Sequence, residues 1–177
     1  MVAVYKRLVV VGRFQPPHLG HVHLIEYALS LAEEVLVVIG SAQDSFTFKN
    51  PLTAGERYEL LDKILKERLG SDYYRRVRLI PVMDINMNKV WVKYLEMLLP
   101  PFDGVVTRNP LVTELFRDAG YEVIEQPMFN REECEGTKIR ERVLKGEEWI
   151  SCIPEEIRED LSRLDFAGRL IRLSNKD

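Results

Sequence analysis

Between Arg7 and Glu33 the chain changes its apolar period within a few residues, and that change limits what it can fold into. Leu8 to Val11 is an apolar, largely β-branched run that ends at Gly12. Pro16 and Pro17 exclude helix before His18, because proline has no N–H and disfavours α geometry in the residue before it. From about Leu19 the apolar residues Val22, Ile25, Leu29 and Ala32 fall near 3.6 spacing, which predicts an amphipathic helix. Strand, tight loop and helix start together form the geometry in which backbone N–H groups meet an anion. The corner also carries unusual side chains. Arg13 and Phe14 follow the glycine, and His18-Leu19-Gly20-His21 leads into the helix.

Two familiar phosphate loops fail here. A Walker loop needs Gly, four residues and then Gly-Lys-Ser/Thr, and no Lys follows Gly20. A dinucleotide fingerprint needs G-x-G-x-x-G, which the spacing from Gly12 to Gly20 does not give, so a dehydrogenase is disfavoured. What remains is two imidazoles at i and i+3, which point the same way on a first turn. Gly20 between them lets a phosphate approach the backbone without meeting a Cβ. His23 lies on another helix face and reads as structural or solvated. For the same reason His18, His21 and His23 cannot converge on one zinc ion.

The rest of the chain alternates. Strands are expected at Glu34 to Ile39, Val77 to Val82, Gly104 to Thr107 and Tyr121 to Glu125. Thr53-Ala54-Gly55-Glu56 is a capping box that opens a helix to about Arg68. Further helices are expected over Asn88 to Leu98, from Asn109-Pro110 to Gly120, and over Thr137 to Lys145. Residues 146–177 are expected as a helical C-terminal extension, with a helix from Pro154 to about Leu164 and a short tail over the last dozen residues. The fold class is therefore α/β: a Rossmann-like, doubly wound parallel sheet of about five strands with helices on both faces. A chain of 177 residues fits one domain, 1–177. In such a sheet the polar clusters that follow the strands meet on one rim, where ligands bind.

Two of those clusters carry recognisable chemistry. Thr137 can offer a hydroxyl and a helix-start N–H to an anion, and Arg140 lies one turn later on the same face. Asp84, Ile85, Asn88 and Trp91 follow the third strand. An exposed indole stacks well on a flat cationic ring such as a pyridinium, and Asp84 and Asn88 can hydrogen-bond a carboxamide.

The first corner resembles the signature of the HxGH nucleotidyltransferases, in which two histidines bind nucleoside triphosphate phosphates. Taken whole, the chain resembles the archaeal-type nicotinamide-nucleotide adenylyltransferases. The runs that carry the likeness are GRFQPPHLGH, IGSAQ, NPLTAGER, DI-x-x-N-x-x-W, PPFD, NPLV, GYEV, MFNR and GTKIR, over roughly residues 8 to 146. The resemblance implies that Arg13, His18, His21 and Arg140 engage the ATP phosphates. It implies substrate contacts at Gly12, Phe14, Gly20, Ser41, Gln43, Lys49 and Thr137, a nicotinamide pocket at Asp84, Ile85, Asn88 and Trp91, and a rim at Asn109. The chain departs from the family at three places. Glu135 stands where a Ser is usual and Lys49 where an Arg is usual, which loses the bidentate fork. Thr107-Arg108 replaces a smaller Ser-Gly pair. The implied reaction joins ATP and nicotinamide mononucleotide into NAD and pyrophosphate, with Mg²⁺ carried by the ATP phosphates. Rival readings are the same chemistry on nicotinate mononucleotide, FMN or pantetheine phosphate, or a non-catalytic nucleotide-sensing module. The resemblance also implies a homo-oligomer, with a hexamer as one size.

A net charge of −3 argues against general nucleic-acid binding. The longest apolar run falls far short of a membrane span, and no apolar h-region precedes a cleavage site, so a cytoplasmic protein is expected. Cys134 and Cys152 have no metal-ligand spacing; a thiol pair is the default expectation, and a disulfide between them stays open.

Overall fold

Among the described residues five strands run parallel, and their order across the sheet is 3-2-1-4-5 in chain numbering. The protein is described by a computed structural model covering residues 2–127 and 134–175, so the MFNR run at 128–131 lies outside the described residues. In chain order the elements are β1 (Tyr5–Gly12), α1 (Leu19–Leu31), β2 (Ala32–Ile39), α2 (Ala54–Leu69) and α3 (Tyr73–Arg76). Then come β3 (Val77–Pro81), α4 (Trp91–Leu98), β4 (Gly104–Val106), α5 (Pro110–Asp118), β5 (Glu122–Ile124), α6 (Gly136–Lys145), α7 (Glu155–Arg163) and α8 (Phe166–Ser174).

Alternation along the strands builds two cores. Leu8, Val10, Val35 and Val37 pack against Ile25 and Ala28 of α1 and Leu61 and Leu65 of α2. Val9, Leu36, Val38 and Val105 face the other way, onto Val92 and Leu95 of α4 and Phe116 of α5. Burial on both faces explains why the central strands read as unbroken apolar runs. The expected caps form. The Thr53 hydroxyl accepts the Glu56 N–H at 3.0 Å while the Glu56 carboxylate accepts the Thr53 N–H at 2.9 Å. Asn109 Oδ1 accepts the N–H groups of Leu111 and Val112, with Pro110 in the first helical position.

Four expectations need correction. Ala32 is not the last apolar residue of α1 but the first of β2, paired with Tyr5; tertiary pairing overrides the helical period there. Asn88–Val90 is a 3-10 turn, and the α-helix proper starts at Trp91. The last dozen residues are no tail: Phe166 and Leu170 of α8 are buried against Ile139 and Val143 of α6 and Ile157 and Leu161 of α7. Finally, Cys134 and Cys152 form a disulfide, their Cα atoms 5.2 Å apart. Nothing in a separation of 18 residues announces this pairing. It follows from the third core, where both cysteines are buried beside α6 and α7.

A crosslink closing a loop of this size stabilises a fold by about 3 kcal/mol, largely through the unfolded chain. Cys152→Ser is therefore expected to lower the unfolding free energy by about that much in a denaturant titration. A midpoint unchanged by the substitution and by reductant would contradict the bond.

Candidate active site

Strand order reverses between β1 and β4, so a crevice opens where their C-terminal ends diverge. Gly12 and Arg13 form one lip and Asn109 the other, around a cavity of about 360 Å³. Ser41, Asp84, Ile85, Asn88 and Trp91 complete its wall. A second cavity, of about 430 Å³, is lined by His18, Gly20, His21, Arg108 and Lys138. Most of the residues singled out in the sequence thus reach one of two neighbouring hollows fed by the end of β1.

In the first hollow the polar groups are mutually fixed. The Ser41 hydroxyl donates to the Asp84 carboxylate at 2.7 Å, and Gln43 Nε2 donates to the same oxygen at 3.1 Å. The Asp84 N–H donates back to Gln43 Oε1 at 3.0 Å. Gln43 therefore orients Asp84 and is not itself on the cavity wall. Trp91 opens α4 and sets an edge against Phe116, with ring centroids 5.9 Å apart.

In the second hollow the two imidazoles stack, with centroids 3.6 Å apart. The His18 N–H donates to His21 Nδ1 at 3.2 Å, so a neutral His21 carries its proton on Nε2. Phe14 packs on the His21 ring at 4.5 Å. It is buried with φ at 53°, and it shapes the corner from beneath without lining either cavity. The glycines have packing reasons. A Cβ on Gly12 would sit 2.9 Å from the Phe14 ring. One on Gly20 would sit 2.9 Å from the His18 ring and 3.2 Å from the Cys134 carbonyl. Gly20 is thus required first by the imidazole it seats.

Arg140 is buried beneath this corner. It donates to the Gln15 carbonyl at 2.8 Å and to the Thr137 hydroxyl at 3.3 Å. Its Nε and His18 Nδ1 are buried polar atoms with no hydrogen-bond partner. Burial, helped by neighbouring Arg13, lowers the Arg140 pKa to about 10, so it stays cationic. Burial and the Arg140 charge push His18 down to about 3. Burial and His18 push His21 well below its ordinary value as well. Lys49 is exposed on the loop before α2 and lines neither hollow.

Two residues of this region escaped the sequence reading. Gln15 is buried and exchanges two hydrogen bonds with the Leu52 backbone, at 2.8 and 2.9 Å. Arg57 is wholly buried and donates to the carbonyls of Arg13, Gly40 and Ser41. Its signal was present: a charged residue in register with Leu60, Leu61 and Ile64 on the apolar face of α2.

A cytidylyltransferase-like family model matches residues 9–142. The nicotinamide-nucleotide adenylyltransferase of Aeropyrum pernix is 54% identical over 169 residues, covering 95% of this chain and 97% of that protein. The chain belongs to the nicotinamide-nucleotide adenylyltransferase family. A second member, from Archaeoglobus fulgidus, is 42% identical and covered over 99% of its length. The family's fold recurs in a bifunctional NMN adenylyltransferase/ADP ribose pyrophosphatase from Francisella tularensis, solved with AMP and a manganese ion. That structure matches with a TM-score of 0.75 at 21% identity, over 97% of this chain and 53% of that one. This chain thus spans about half of the bifunctional protein.

The buried His18 ties stability to pH. The unfolded imidazole titrates near 6.5 and the folded one near 3, so between those values the unfolded chain binds more protons. Stability should fall as pH drops through that window. His18→Asn is expected to flatten the dependence of melting temperature on pH there, and identical slopes in variant and wild type would contradict the assignment.

Proposed function

We propose that this chain transfers the adenylyl group of ATP to nicotinamide mononucleotide, giving NAD and pyrophosphate. The supporting observation is that the segment after β1 serves two unlike hollows, with Arg13 on the wall of one and His18 on the wall of the other. One offers an indole beside Asp84 and Asn88, and the other offers stacked neutral imidazoles over a buried arginine. The first suits a pyridinium ring with a carboxamide, through stacking and amide hydrogen bonds. The second suits a triphosphate, through N–H donors and fixed positive charge.

In this reading a 5′-phosphate oxygen of the mononucleotide attacks the α-phosphorus of ATP. The bond to the bridging oxygen breaks, and pyrophosphate leaves. The nucleophile needs no general base, because a phosphate monoester's second pKa is about 6. His18, whose pKa burial lowers to about 3, would be only a weak base. Catalysis is then positioning and charge neutralisation. Arg13, His18, His21 and Arg140 hold the triphosphate, with His21 donating from Nε2. Gly12, Gly20 and Thr137 offer backbone or hydroxyl donors, and Lys49 supplies a further cation from its loop. Asn109 shapes the rim. Among the described residues no group of three or more His, Cys, Asp or Glu side chains is placed to hold a metal ion. We place Mg²⁺ on ATP, because a hard cation of this size prefers phosphate oxygens.

We place residues 1–177 in one domain that works in the cytoplasm as a homo-oligomer. No helix among the described residues is long and apolar enough to cross a membrane.

Two measurements test the reaction. With ATP, Mg²⁺ and nicotinamide mononucleotide, the purified protein should release NAD and pyrophosphate in equal amounts. Pyrophosphate released only with nicotinate mononucleotide, FMN or pantetheine phosphate would replace the acceptor. His21→Ala should lower turnover about a hundredfold or more with the fold retained, the usual loss of one donor to a charged transition state. Turnover close to wild type would remove His21 from the machinery.

A further inference from the structure

Among the described residues Arg57 is the largest side chain that the fold buries completely. It sits in the first turns of α2, on a face otherwise filled by Leu60, Leu61 and Ile64. An apolar residue would serve packing there at no cost in charge burial. The guanidinium is clasped by carbonyls. Nη1 donates to Arg13 at 2.8 Å and to Gly40 at 2.7 Å, Nη2 to Ser41 at 3.0 Å, and Nε to Thr53 at 3.2 Å. No carboxylate forms an ion pair with it among the described residues, while Asp44 and Asp84 lie close enough to favour its charge. Burial lowers its pKa only to about 10, so the cation persists at neutral pH.

The carbonyls it gathers belong to the two loops that build the site. Arg13 follows β1, and Gly40 and Ser41 follow β2. In a trans peptide the N–H points opposite to the C=O. Drawing these carbonyls inward therefore turns the N–H groups of Phe14 and Ser41 away from Arg57. It also leaves the Ala42 N–H to reach the Val82 carbonyl at 3.0 Å, which ties in the end of β3. Ser41 in turn holds Asp84. A lysine has one nitrogen and cannot span this set of carbonyls as a planar fork does.

We infer that Arg57 is a positioning residue for adenylyl transfer, fixing the loops after β1 and β2 so that Arg13 meets the ATP phosphates and Ser41–Asp84 meets the pyridine ring. The inference rests on the proposed reaction. Because one guanidinium holds both loops, its loss should weaken both substrates together, which distinguishes it from a contact residue of either hollow.

The test compares Arg57→Met and Arg57→Lys with Ile64→Ala, a cavity in the same helix at a side chain that donates no hydrogen bond to the loop carbonyls. Michaelis constants and turnover are measured well below the lowest melting temperature of the set. Arg57→Met should raise KM for ATP and for nicotinamide mononucleotide by about tenfold or more, Arg57→Lys by less, and Ile64→Ala by little despite its lower stability. Wild-type KM values in Arg57→Met, or an equal rise in Ile64→Ala, would overturn the inference. If Arg57→Met does not fold, Arg57→Lys decides: raised KM for both substrates supports the role, and unchanged values overturn it. An inactive wild-type protein would defeat the proposed reaction instead. The same variants would then be read by calorimetric Kd for ATP, weakened if Arg57 sets the loops and unchanged if it does not.

Discussion

With hydrogen-bonded neighbours on both edges, β1 can deliver the residues after Gly12 only to the rim between β2 and β4. Every other part of the site depends on that placement. The order 3-2-1-4-5 puts the reversal of the sheet beside β1, so helices on opposite faces leave a gap there. The β1 loop fills one side of the gap, and the loops after β2, β3 and β4 line the rest. A sheet with β1 at an edge would scatter the same side chains.

Charge, more than cavity shape, gives the corner its character. Arg13, Arg57 and Arg140 crowd together, and each of the two buried ones has its pKa lowered in part by Arg13. Two imidazoles beside them stay neutral because burial outweighs any benefit of a further proton. Carbonyls from Gln15, Arg13, Gly40 and Ser41 offset part of the repulsion. They bring partial charges only, and the nearby carboxylates of Asp44 and Asp84 favour the Arg57 charge further. Two unpartnered buried nitrogens, on His18 and Arg140, belong to the same imbalance.

Sequence alone exposed those parts of this design that depend on local order. The β-branched run, the Pro16-Pro17 break and the His18-Leu19-Gly20-His21 spacing locate the corner because each acts within a few residues. The capping box at Thr53 and the Asn109-Pro110 start are local for the same reason. What stayed hidden depends on pairs distant in the chain. Arg57 reads as one more charge on a charged helix until Arg13 is seen 44 positions away, accepting its hydrogen bond. The Gln15–Leu52 bond, the Cys134–Cys152 disulfide and the burial of α8 are likewise tertiary facts. Lys49 marks the opposite case. The resemblance counts it among the substrate contacts, and it stands exposed on its loop, outside both hollows, where contacts within the chain do not fix its side chain.

The C-terminal helices then gain a reason beyond bulk. Arg169 of α8 pairs with both oxygens of Glu56, at 2.8 and 3.0 Å, and stacks on Phe46 at 4.8 Å. Glu56 is the residue that caps the start of α2, one position before Arg57. Contacts therefore run from α8 to the first turn of α2, through Arg57 to the loops after β1 and β2, and on to Arg13 and Asp84. On the other side the disulfide holds the approach to α6, which carries Thr137 and Arg140. Arg13, Arg57 and Arg140 repel one another where they stand. They keep their places because the surrounding helices are anchored behind them, in the third core that the strands themselves never reach.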